Sequence, residues 1–202
     1  MLKKITIIFL SLLLVACSTK TTTTSTTISK DKDEIVTEKT EKTEVIKDKT
    51  IVIPFAFFES LSPAEFDRDD FVNNLSEDMG VALKSYEVTD DSVTLIIDGK
   101  EHAEAMKTLK EGYDESFKDL LEENDYGFVS INYDEKITKF IIEVEGNEVS
   151  YAANFISILF YYYGAIYQMY DGIPQDEIKV QIDFVNSSGD ILKQWDSSTL
   201  KY

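Results

Sequence analysis

The sequence predicts an α+β domain: an antiparallel sheet of β-hairpins with three helices, in the order β-α-ββ-α-ββ-α-ββ. Apolar residues recur at three- and four-residue steps over 103–121, the period of a helix with one buried face. Segments such as 139–145 and 178–184 alternate apolar with polar or charged residues, the period of strands with one packed and one wet face. Clusters of turn residues separate such segments in pairs, as hairpins require.

Residues 50–58, TIVIPFAFF, form the opening strand. Pro54 cannot donate to a ladder, so it marks an edge or a bulge. A helix start follows, with Ser62 and Glu65 as a capping box, Pro63 at the first helical position and Leu61 able to staple to Phe66. Val72, Leu75 and Met79 continue its apolar face until Gly80. Residues 81–97 then make a hairpin turning near Asp90-Asp91.

The second helix places Ala103, Met106, Leu109, Tyr113, Phe117, Leu120 and Leu121 along one side and ends near Asn124 and Gly127. Strands through Val129, Ile131 and Tyr133 and through Phe140, Ile142 and Val144 form the second hairpin, joined by Asp134-Glu135-Lys136. In the last hairpin Ile178, Val180, Ile182 and Phe184 point one way and Lys179, Gln181 and Asp183 the other, with the turn at Asn186-Ser187-Ser188-Gly189-Asp190. Helix and hairpin thus follow one another three times. IIDGKE (96–101) and EVEGNE (143–148) stand at comparable places, which hints at divergent internal repetition without establishing it.

The third helix contains a charge-free run, 149–170, long enough at about 1.5 Å per residue to cross a bilayer. On a helical wheel Ser150, Asn154, Ser157, Tyr161, Gly164, Gln168 and Asp171 form one narrow polar and small seam. The remainder, including Ala152, Phe155, Leu159, Tyr162, Ile166 and Met169, is apolar and expected to be buried. The flanks hold Glu143, Glu145, Glu148, Asp171, Asp176 and Glu177, with no basic residue between Lys139 and Lys179. A span normally has a basic cytoplasmic flank, so this is the most buried helix of a folded domain.

At the amino terminus, Lys3 and Lys4 precede an apolar run over 5–15 and a small residue at 16, the features of an export signal. Leu14-Val15-Ala16-Cys17 resembles the lipobox of bacterial lipoproteins. The resemblance covers about the first 18 residues and implies removal of a signal peptide, 1–16, and acylation of Cys17 at the outer face of the cell membrane. Two or more acyl chains anchor stably where one binds only marginally. Cys17 is the sole cysteine, so the exported domain has no intramolecular disulfide. Residues 17–50 comprise the lipidated cysteine and a Thr-, Lys- and Glu-rich tether without Gly, Pro or aromatic residues, and 51–202 form a single globular domain.

The chemistry-bearing residues are sparse. His102 is the only histidine and sits beside Glu101 as a surface residue of a helix's first turn. No zinc ligand set, phosphate-binding loop or dinucleotide fingerprint is present, so no metal or cofactor is expected. The two Ser-x-x-Lys patterns, Ser29–Lys32 and Ser198–Lys201, fall in the tether and the tail. Asp67, Asp69 and Asp70, and Asp90-Asp91, suit a solvated surface and lack calcium-loop spacing.

The net charge is −18, and losing Lys3 and Lys4 leaves 18 basic against 38 acidic side chains, about −20. That excludes nucleic acid as a partner and disfavours anionic lipid except through Cys17. The sequence therefore points to a non-catalytic binding, adhesion or envelope-assembly lipoprotein. The alternative is an envelope hydrolase using a carboxylate pair about 5–10 Å apart.

Overall fold

The composition changes at Lys49, where Thr, Lys and Glu give way to Ile51, Val52 and Ile53. A computed structural model, which describes residues 47–61 and 66–197, begins its first strand there, β1 (Lys49–Pro54). Lys49 and Thr50 thus belong to the sheet and not to the tether. The strand stops at Pro54, and TIVIPFAFF is only half extended: Phe55–Leu61 is a short helix, α1. Helix α2 (Arg68–Asp78) follows, so the described residues form four α-helices where three were expected.

Asp67 caps α2, its carboxylate accepting the Asp70 N–H at 3.0 Å. The capping box, Pro63 and the staple's Leu61 side chain lie outside the described residues. Asp69 and Asp70 fall in the first turn, where the helix dipole favours negative charge. At the other end Gly80 takes φ +63°, and the Gly80 and Val81 N–H groups close back on Glu77 and Ser76 carbonyls, a Schellman stop.

Strands β2 (Leu83–Val88) and β3 (Ser92–Ile97) form the first hairpin. Asp98 caps α3 (Gly99–Glu123), which ends at Asn124 in the left-handed region, φ 48°. Strands β4 (Phe128–Tyr133) and β5 (Lys139–Val144) form the second hairpin, and α4 (Tyr151–Tyr170) leads to the third, β6 (Gln181–Val185) and β7 (Ile191–Asp196). A short 3-10 turn, Gln175–Glu177, sits between α4 and β6.

The α+β class holds, but the strands form two sheets and not one. The first has order β1-β3-β2, the second β4-β5-β6-β7, and the β5–β6 pair is parallel. Parallel neighbours need a crossover, and α4 supplies it: a 20-residue helix is about 30 Å long and returns the chain to the end where β5 began. Internal repetition gains no support from pairing. The first hairpin pairs with β1, whereas the other two join each other.

The inner face of the first sheet buries Ile51, Ile53, Val93, Leu95 and Ile97, and Leu75 of α2 is buried too. One face of the second sheet buries Phe128, Phe140, Ile142, Val144, Ile182 and Phe184. Rings from α3 and α4 pack there, Phe117 against Phe140 at 5.9 Å and Phe160 against Phe140 at 5.2 Å.

Helix α4 is the most buried, but its orientation reverses the expectation. Ser157, Tyr161, Gly164 and Gln168, the polar and small seam, face inward. A Cβ on Gly164 would lie 2.7 Å from Val180 Cγ2 and 2.8 Å from the Ile137 carbonyl, so only glycine admits this approach. Gln168 Nε2 donates to the carbonyls of Lys179 (2.8 Å) and Ile137 (3.2 Å), and its Oε1 accepts the Lys179 N–H at 3.2 Å. Ile137, fully buried, is held at φ 51°, an unfavourable region for a β-branched residue. The seam is small and polar because backbone comes to it.

The apolar side turns outward at its amino-terminal half: Tyr151 is 87% exposed, Phe155 67% and Ile158 50%. Ala152 is exposed, and Leu159, Tyr162 and Ile166 are half-buried; Met169 alone of the six named apolar positions is buried. Among the described residues no helix is long and apolar enough to cross a membrane.

Candidate functional site

Strand β2 is the least covered in the fold, with Leu83 half-buried and every later residue exposed. It lies at the edge of its sheet, so among the described residues only β3 pairs with it. Tyr86 and Val88 stand opposite Leu95 and Val93, on the core side of the sheet. Those partners are fully buried, yet Tyr86 is 56% exposed and Val88 49%.

The hydrogen bond from the Thr89 N–H to the Ser92 carbonyl, 2.9 Å, sets the phase of the ladder. In an antiparallel pair bonded and non-bonded residues alternate, so Ser85 and Glu87 bond to β3. The N–H and C=O of Tyr86 and Val88 point to the open edge. An irregularity between Leu83 and Ser85, together with Lys84, guards the first half of this edge; the second half is regular.

Beside the edge runs an open groove of about 600 Å³ between α2 and β2, lined among others by Val72, Asn73, Ser76, Leu83 and Tyr86. Its surroundings are acidic. Residues 66–98 carry nine acidic and two basic side chains. Both cations are engaged: Arg68 by Glu59 at 2.5 Å and the Asp90 carbonyl at 2.6 Å, and Lys84 by Asp48 at 2.5 Å and Asp98 at 3.0 Å. Partial burial, then the charges of Glu77 and Asp70, raise the Asp78 carboxyl above its ordinary range. Arg68, the one basic residue of α2, is thus turned to Glu59 and not to the helix's own carboxylates.

No known family model matches this chain, and no curated protein or solved structure is significantly similar to it. The chemistry must be judged from the side chains alone.

His102 is not the surface residue expected. It is 8% exposed, and its Nε2 lies 2.8 Å from the Tyr170 carbonyl at the end of α4. A carbonyl only accepts, so Nε2 carries the proton and ties the start of α3 to the end of α4. Asp48 and Asp98 do converge, but on Lys84 and in the open. The Lys84 contact, then the backbone donors of Lys100 and Glu101, hold Asp98 below its usual range, the opposite of what a general acid needs. Burial raises the phenols of Tyr113 and Tyr163, and burial with the nearby Asp78 charge pushes Tyr170 up to about 12. Among the described residues no three His, Cys, Asp or Glu side chains gather as a metal site. Cys17 lies outside the described residues.

One carboxylate was underestimated by sequence. Asp183 does point to the face of the second sheet opposite Phe184, as alternation required, yet it is only 2% exposed. Lys139 Nζ lies 2.8 Å from it, and the amides of Gln194 and Gln181 donate at 2.7 and 2.9 Å. Burial alone would raise its pKa; the bonds from Lys139, Gln194 and Gln181 outweigh that and hold it low.

A depressed carboxylate contributes stability that is present above its unfolded pKa, about 3.9, and is lost as pH falls through the lower folded value. Asp183→Asn should therefore cost about 1–3 kcal/mol at neutral pH and shrink the gap to wild type below about pH 4. Urea melts at several pH values check this; a pH-independent gap would contradict it.

The edge was missed by sequence because a hairpin pattern does not say which strand is outermost. A signal was available. LKSYEV carries two charged residues, Lys84 and Glu87, where its partner SVTLII carries none, as an edge strand should.

Proposed function

We propose that this chain is a membrane-anchored bacterial surface lipoprotein whose folded part, from Asp48 onward, is a non-catalytic binding module. Leu14-Val15-Ala16-Cys17, placed directly behind the apolar run 5–15, supports the address more than any other feature. On this reading the signal is removed before Cys17, and lipid on that residue holds the protein at the outer face of the membrane. On the same reading the Thr-, Lys- and Glu-rich segment that follows Cys17 joins the anchor to the folded part.

The charge balance agrees with an anchored and not an adsorbed protein, since a chain near −20 gains nothing from an anionic surface. A binding role is supported by open apolar positions on β2 and α4 and by carboxylates engaged with lysines. Cys17→Ala should abolish incorporation of radiolabelled palmitate and move the protein out of the membrane fraction, or stall it unprocessed. Wild-type fractionation of the variant would overturn the anchor.

A further inference from the structure

We infer that the open edge of β2 takes an extended, lysine- or arginine-bearing segment of another protein as a fourth strand of the β1-β3-β2 sheet. This rests on the reading of the domain as a binding module and names the partner's chemistry.

Tyr86 and Val88 each present an outward N–H and C=O, which an added strand would satisfy at a spacing of two residues. The same two residues carry exposed side chains on the core side of the sheet. Apolar residues at alternate positions of the incoming strand would cover Tyr86 and Val88 and reach Val72 in the groove. Its intervening residues face the opposite side of the sheet, near Glu87, which pairs with Thr94 on that side.

Charge selects the occupant. Asp69 and Glu77 flank the groove-lining Asn73 on α2, one turn to either side, and both are exposed. Neither local cation is available to neutralise them, because Arg68 and Lys84 are already bridged. A second copy of this chain would bring its own acidic edge to the same place, so self-pairing is opposed by like charge. A segment alternating apolar and basic residues fills the groove with the first set and places the second beside Glu87, within the field of nine acidic against two basic side chains over 66–98.

The test uses the full lipidated chain in detergent micelles and the peptide acetyl-Lys-Val-Lys-Val-Lys-Val-Lys-amide, with the Glu-for-Lys peptide as control. The lysine peptide should bind and slow amide exchange at Tyr86 and Val88, and the glutamate peptide should not. Val88→Pro removes one outward N–H while leaving the bonds to β3, and should weaken binding about tenfold with an unchanged melting curve. Glu87→Lys, on the exposed face where the intervening lysines lie, should weaken the lysine peptide and favour the glutamate one. Binding without protection at Tyr86 and Val88, equal binding of both peptides, or protection of these amides before any peptide is added would each overturn the inference. Palmitate labelling at Cys17 reports on the anchor independently, so the two readings fail separately.

Discussion

Phe160→Ala is expected to cost about 3–5 kcal/mol and to lower the urea midpoint accordingly. Phe160 is fully buried on α4 and touches rings from three other elements: Phe117 at 5.6 Å, Phe128 at 6.0 Å and Phe140 at 5.2 Å. Its removal takes the largest side chain from the point where α3, α4 and the second sheet meet, and aromatic side chains cannot collapse to fill such a void without leaving their rotamers. Domains of this size are stable by about 5–15 kcal/mol, so much of the total is at stake. A loss below about 1 kcal/mol would mean that α4 does not lie on the sheet as described.

Gln168→Leu is expected to cost about 2–4 kcal/mol although the replacement is apolar and similar in volume. The amide of Gln168 stitches three places together, donating to carbonyls of Gly164, Ile137 and Lys179 and accepting the Lys179 N–H. Leucine leaves those groups without their partner in a buried position, and each such group costs about 1–3 kcal/mol. Gly164→Ala probes the same seam by size, because its Cβ would meet the Ile137 carbonyl at 2.8 Å and backbone cannot swing aside as a side chain can. That variant should lose about 1–3 kcal/mol. If both variants melt like wild type, the seam faces solvent and the orientation of α4 is wrong.

The seam also marks how far the sequence could be followed. Periodicity located α3, α4 and all three hairpins, because a helical or strand period is a local property of neighbouring residues. It said that α4 had one side unlike the other, and not which side met the core. The usual rule sends polar residues outward, but Gly164 and Gln168 turn inward since the Ile137 turn and the loop at Lys179 bring backbone carbonyls to that side. Contacts between residues 31 positions apart leave no trace in a wheel drawn on one segment. The parallel β5–β6 pair escaped for the same reason: alternation fixes faces, whereas the pairing of hairpins is set by where α4 returns the chain.

Of the candidate sites, Leu14-Val15-Ala16-Cys17 is a linear pattern outside the described residues, and its reading rests on the sequence alone. His102 was misplaced because its burial depends on the Tyr170 carbonyl, 68 residues away. Asp183 was given its face by alternation, and its burial came from Lys139 and Gln194 on two neighbouring strands. The acidic clusters divided on inspection. Asp67 and Asp98 are helix caps, while Asp69, Glu77 and Glu87 stand around an open edge whose cations within 66–98, Arg68 and Lys84, are bridged to other carboxylates.

The central claim is the address, and one mass spectrum of the mature protein's amino-terminal peptide tests it most directly. The expected peptide begins at Cys17 and carries the mass of a diacylglyceryl group on the thiol. An unmodified Cys17, or a mature chain that begins at any other residue, would contradict it.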